Sequence, residues 1–150
     1  MKTKKETKKE EKKQEWVEEF IQPNKLQIKK SKVGGYGVFA VEDIKAGEII
    51  EEAPFVRTGY RTKDLMHPQL IQMCYPYPCS CDVCEARGRF LLLSSGYVST
   101  YNHNENPHTE LQFYLNMRFI RVTAIRNIKK GEEVFSNYGA KYSQYEEIPT

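Results

Sequence analysis

Val33-Gly34-Gly35-Tyr36-Gly37-Val38-Phe39-Ala40 sets three glycines against a short apolar run. Glycine adopts backbone conformations closed to other residues, so this reads as a turn feeding a buried strand that continues to Val41. Upstream, Leu26 and Ile28 alternate with polar residues, the period of a half-buried strand. Downstream, Ala46-Gly47 makes a second turn before Glu48-Ile49-Ile50-Glu51-Glu52. Leu111, Phe113 and Leu115 alternate, and Ile120, Val122 and Ala124 do so again beyond Asn116, which predicts a hairpin. A Lys129-Lys130-Gly131 turn then leads to a last strand through Phe135. Short strands separated by glycine turns predict a mainly β fold with short helices.

Two segments carry helical spacing. Trp16, Val17, Phe20 and Ile21 predict a short amphipathic helix ended by Pro23. Leu65, Met66, Leu70, Ile71 and Cys74 predict another, with Pro68 in its first turn and Pro76 and Pro78 stopping it. No internal repeat is visible. The chain therefore divides into a charged N-terminal tail with a short helix, residues 1–22, and one domain over residues 23–150 with a Cys-rich insert at 74–84.

Composition bounds the function classes. The 150 residues are 39% hydrophobic and 29% charged, enough for one modest core. Apolar runs such as residues 90–93 are far too short to span a bilayer. The N-terminal Lys/Glu tract offers no apolar stretch for a secretory signal, so a soluble cytoplasmic protein is expected, or one in the host cell interior if the source is viral. The formal net charge is +3. Residues 1–15 hold seven Lys and four Glu, which accounts for all of it, and the remaining chain is neutral. A nucleic-acid binder keeps its basic excess on the folded surface, so direct nucleic-acid binding is not expected. The tail reads first as a mobile solubilising segment, and second as an electrostatic arm for a partner.

Two stretches are unusual for a plain β domain. Tyr101-Asn102-His103-Asn104-Glu105-Asn106-Pro107-His108 is dense in polar side chains, and Asn137-Tyr138-Gly139 follows an apolar strand. Alone, the first reads as a solvated loop and the second as packing. Their order along the chain carries more. The turn at residues 34–40, then Gly47-Glu48, then Tyr101-Asn102-His103, then the run from Gly131-Glu132-Glu133 to Tyr138-Gly139 resembles the SET-domain protein lysine methyltransferases, over roughly residues 25 to 145. In size the chain is most similar to the compact viral and bacterial members.

The resemblance implies a fold of small curved sheets, in which the C-terminal segment threads under a preceding loop as a pseudoknot. It also implies that S-adenosylmethionine and a target lysine enter from opposite faces and meet through a narrow channel. Gly35, Tyr36 and Gly37 match the turn against the cofactor's methionine part. Asn102 matches the asparagine that contacts the cofactor, and His103 the residue whose backbone meets the adenine. Tyr138 matches the tyrosine at the methyl-transfer point, and Tyr142 and Tyr75 match aromatic positions around the lysine channel. By analogy with compact viral members, a homodimer is also implied.

The chemistry suits those residue types. A lysine amine has a reference pKa of about 10.4 and must be neutral to attack a sulfonium methyl group. It must also lie behind that carbon at near-attack distance. An aromatic channel disfavours the ammonium by desolvation, while its ring faces attract cations. A tyrosine hydroxyl and backbone carbonyls orient the amine, so such a site needs positioning more than an acid/base pair. The chain holds 10 tyrosines, although β domains use tyrosine freely anyway. Ser136 is smaller than the aromatic often found two places before the tyrosine, which points to room for more than one methyl group.

Two positions depart from the family's Asn-His-Ser-x-x-Pro-Asn: Asn104 stands for the serine and His108 for the final asparagine. All four cysteines, Cys74, Cys79, Cys81 and Cys84, fall in one short segment. In a reducing compartment such clustering suggests zinc, with His67 as a substitute ligand; an unliganded thiol loop and a metal shared across a dimer are the alternatives. The leading function is S-adenosylmethionine-dependent methyl transfer to lysine in a protein, a histone or another. The runner-up is a catalytically idle SET-like module that binds protein or cofactor. A zinc-organised adaptor comes third, disfavoured by the neutral folded part.

Overall fold

The computed structural model describes residues 15–57, 73–76, 91–137 and 143–145. Strands make up 47% of them, and the helical content is a short 3-10 turn at Val98–Thr100. In chain order the strands are β1 (Leu26–Lys30), β2 (Tyr36–Ala40), β3 (Ile49–Arg57), β4 (Tyr75–Pro76), β5 (Leu91–Ser94), β6 (Asn102–His103), β7 (Thr109–Tyr114), β8 (Phe119–Ala124), β9 (Glu133–Ser136) and β10 (Ser143–Tyr145). They form two sheets, ordered β1-β2-β9-β6 and β10-β7-β8-β3-β5-β4. Most pairs are antiparallel; β6–β9 and β10–β7 are parallel.

The second sheet is built by alternation. Across β7 and β8, Leu111 faces Val122 and Phe113 faces Ile120, and all four are buried. Val38, Ala40 and Val134 of the first sheet join them in one core cluster. Each buried Val, Leu, Ile or Phe among them contributes about 1.5–3 kcal/mol over an exposed position.

Strand β3 breaks the alternation. Its register against β8 shifts between Ile49 and Glu51, and four consecutive residues beyond Ile49 become buried. A bulge inserts one residue and re-aims those that follow. It turns Glu51 and Glu52 inward, each into a specific set of partners. Glu52 accepts from Arg121 Nε at 2.9 Å, and the same guanidinium donates to the Tyr114 hydroxyl, also at 2.9 Å.

The helix expected over Trp16 to Ile21 does not form; residues 15–23 run without regular structure. The Ile21 carbonyl accepts from the Glu52 backbone at 2.8 Å, and the Ile21 N–H donates to Glu52 Oε1 at 3.2 Å. Those groups are thus spent on β3 rather than on a helical turn. Phe20 packs on Phe119 at 5.5 Å between ring centroids, while Trp16 and Ile21 stay exposed. Helical spacing without a continuous buried face does not sustain a helix. The helix expected from Leu65 lies outside the described residues apart from Met73 and Cys74, which are not helical. The threading of the C-terminal segment falls largely on residues 138–142, also outside them. Among the described residues no helix is long and apolar enough to cross a membrane.

Candidate active site

The site grows from the turn between β1 and β2. Gly34 and Gly35 have φ of 126° and 60°, conformations that side chains rarely adopt. The turn is tied at its base, where the Ser31 N–H donates to the Gly35 carbonyl at 2.9 Å. A Cβ at Gly34 or Gly35 would meet nothing within 4 Å, so the backbone there borders open space. Gly37 is the opposite case: a Cβ would lie 2.9 Å from Asn102 Nδ2 and 3.0 Å from Glu133 Cδ. Asn102 and Glu133 therefore lie directly on the glycine backbone.

Asn102 sits on β6, two residues long and without an apolar side chain. It is held from both sides. Ahead of it, Tyr101 is fully buried and its hydroxyl donates to Glu51 Oε1 at 3.2 Å, while the Tyr97 N–H donates to Glu51 Oε2 at 2.7 Å. Burial pushes the Glu51 carboxyl above its ordinary value, and these two hydrogen bonds oppose that rise. The Tyr75 hydroxyl donates to the Val98 carbonyl at 2.9 Å. Beyond Asn102 the polar loop wraps β9. The Asn104 N–H donates to the Ser136 carbonyl at 2.9 Å, and the His108 N–H to the Phe135 carbonyl at 3.0 Å.

Three sequence stretches meet here. Asn102 pairs with Phe135 and His103 with Ser136 in the parallel β6–β9 ladder. The Asn102 amide donates to the Tyr36 carbonyl at 3.2 Å and to Glu133 Oε1 at 2.9 Å, linking the glycine turn, the polar loop and β9. The SET domain family model matches residues 35–139, a span that opens and closes on these stretches. This chain belongs to the SET-domain family. Among solved structures, it is similar to a candidate histone methyltransferase of Plasmodium falciparum, with 30% identity and a TM-score of 0.58 over 78% of this chain and 95% of that one. Among curated proteins none matches the chain.

Within this SET domain, the Asn102 amide lies against Tyr36 and Gly37 of the glycine turn that begins at Gly34 and Gly35, and His103 follows it on β6. Tyr36 is exposed and His103 lies on the exposed side of β6. Tyr75 is different: it is buried, its ring meets Phe113 edge-on at 6.2 Å, and its hydroxyl supports the segment that leads to Asn102. Tyr138 and Tyr142 lie outside the described residues, as do Cys79, Cys81, Cys84 and His67. Cys74 is half-buried, and burial pushes its thiol up. Among the described residues no three metal-ligating side chains stand together.

Both departures from the family pattern are accommodated. Asn104 Oδ1 accepts from the Asn106 N–H at 2.8 Å, the bond a serine hydroxyl would take. His108 is buried, stacks on Phe135 and accepts the Phe135 N–H on Nδ1 at 3.1 Å. Its proton therefore resides on Nε2, 3.4 Å from Glu132 Oε2. Burial lowers its pKa, as does Arg126, and Glu132 pulls the other way. The sequence reading gave no role to Glu51 or Glu133. A pair of carboxylates inside an apolar strand was the available signal for the first. For the second, it was the place of Glu133 in the Gly131-Glu132-Glu133 run.

Proposed function

We propose that this chain transfers the methyl group of S-adenosylmethionine to the side-chain amine of a lysine in a protein substrate. The observation that carries the reading is the Asn102 amide, which ties the Tyr36 carbonyl to Glu133. It assembles, in one place, the segments for which the family resemblance implies cofactor contact. The residues present suit such a ligand. Backbone at Gly34 and Gly35 borders open space, and acceptors beside Gly37 suit a cationic molecule. When bound, the donor would supply an electrophilic methyl group on a sulfonium. Tyr138, which follows β9 after Asn137, would orient the neutral amine through its hydroxyl, with Tyr142 lining the lysine's approach.

The similarity to a candidate histone methyltransferase makes histones the first substrates to test, with other lysine-containing proteins second. Zinc at Cys74, Cys79, Cys81 and Cys84 remains a proposal of this reading, open to metal analysis of the purified protein. The idle-module reading rests on Asn104 and His108, and the bonds both make favour an intact loop.

Radiolabelled donor incubated with histones and with a mixed protein lysate tests the reading. Transfer is expected for the wild type. Tyr138→Phe keeps the ring volume and removes the hydroxyl, so transfer should fall on the order of ten-fold or more, equivalent to about 1.4 kcal/mol. Thermal unfolding should change little. Full activity in this variant would overturn the role given to Tyr138, and no transfer by the wild type to any protein would contradict the reading itself.

A further inference from the structure

The amide of Asn102 has two orientations about half a turn apart, and its hydrogen-bond partners decide between them. Its nitrogen faces the Tyr36 carbonyl at 3.2 Å and the Glu133 carboxylate at 2.9 Å. Both partners are acceptors only, so both N–H groups are used. Turning the amide over would set its oxygen against a carbonyl and a carboxylate and would break a charge-assisted bond. The orientation is thereby fixed, with Oδ1 left as an acceptor that no described donor reaches.

Glu133 is placed for this duty by β9. It lies opposite Phe39 in the β2–β9 register, and its carboxyl reaches back over Gly37, where a side chain would collide with it. Its neighbour Glu132 is turned to a separate task, facing His108 and the Lys129 N–H. No ion pair engages Glu133 among the described residues, so its charge is spent on the Asn102 amide.

We propose that Glu133 is a positioning residue: it holds the Asn102 amide so that Oδ1 receives the α-ammonium group of the methyl donor. This rests on the S-adenosylmethionine reading above and names the part of the ligand that the site recognises. A zwitterionic amino-acid group brings three N–H donors, and an amide oxygen beside a carboxylate suits it better than an amide nitrogen. The same arrangement disfavours a ligand whose amine is missing.

Calorimetry with S-adenosylhomocysteine and with its analogue lacking the α-amino group tests this on wild type, Glu133→Ala and Glu133→Gln. Wild type should prefer the amine-bearing ligand by on the order of ten-fold or more, the size of a hydrogen bond to a charged group. Glu133→Ala should lose most of that preference, because the amide is no longer held. Glu133→Gln should keep most of it, since its Oε1 still accepts from Nδ2; a charge effect would vanish in both variants. Unchanged preference in Glu133→Ala, or equal loss in Glu133→Gln, overturns the positioning role and leaves the cofactor reading standing. Wild type that binds neither ligand overturns both.

Discussion

Phe113 and Ile120 face each other across β7 and β8 and are shut off from solvent, whereas Asn102 and Phe135, paired across β6 and β9, are half-buried. The first pair belongs to a hairpin of two six-residue strands that alternate into the core. In the second pair, Asn102 belongs to a two-residue strand with no apolar side chain. The hairpin is held by its own periodicity. The β6 segment is held by side chains from elsewhere: Glu51 beneath it, Glu133 beside it and His108 beyond it. Stability and site geometry are therefore carried by different interactions, and substitutions should separate them.

The largest effect is expected in the hairpin. Phe113→Ala opens a cavity in the core and should cost about 3–5 kcal/mol in chemical denaturation. A loss below about 1 kcal/mol would break the contrast, because the hairpin would then not dominate stability. Glu51→Ala comes next. It removes the carboxylate that accepts from the Tyr97 N–H and the Tyr101 hydroxyl, at a cost of about 1–3 kcal/mol. Donor affinity should fall along with stability here, since the segment ahead of Asn102 loosens. Retained affinity would show that β6 does not depend on this support.

The smallest effect concerns pH. His108 has a lowered pKa in the folded protein, so the unfolded chain takes up its proton first as the solution is acidified. Its contribution is fully present above the ordinary histidine value of about 6.5 and is lost as pH falls through the folded value. Protonated Nδ1 can no longer accept the Phe135 N–H. The melting temperature should therefore drop more between pH 7 and pH 5.5 in wild type than in His108→Asn, which restores the family residue. Identical slopes would remove His108 from the account of acid sensitivity.

The same contrast explains what the sequence could reveal. Alternation at Leu111, Phe113, Ile120 and Val122 marks β7 and β8 directly, because burial on one face leaves a period of two. The glycine turn and the Asn102-His103 pair were legible through their order along the chain. Strand β6 itself was not legible, since two residues carry no period and the partners of Asn102 lie 31 to 66 positions away in the sequence. Glu51 was hidden for another reason: the bulge at Ile49 and Glu51 turns inward a residue that simple alternation would not single out. The helix read at Trp16 and Phe20 failed because Ile21 bonds to β3, a partner that local spacing does not reveal.

The central claim is that Asn102 joins the glycine turn to β9 and thereby forms the donor site. Calorimetric titration of S-adenosylmethionine into wild type and Asn102→Ala tests it most directly, with thermal unfolding measured on the same preparations. Micromolar-range binding by wild type is the premise, and Asn102→Ala should weaken it on the order of ten-fold or more while still melting cooperatively. Equal affinities in the two proteins would contradict the claim.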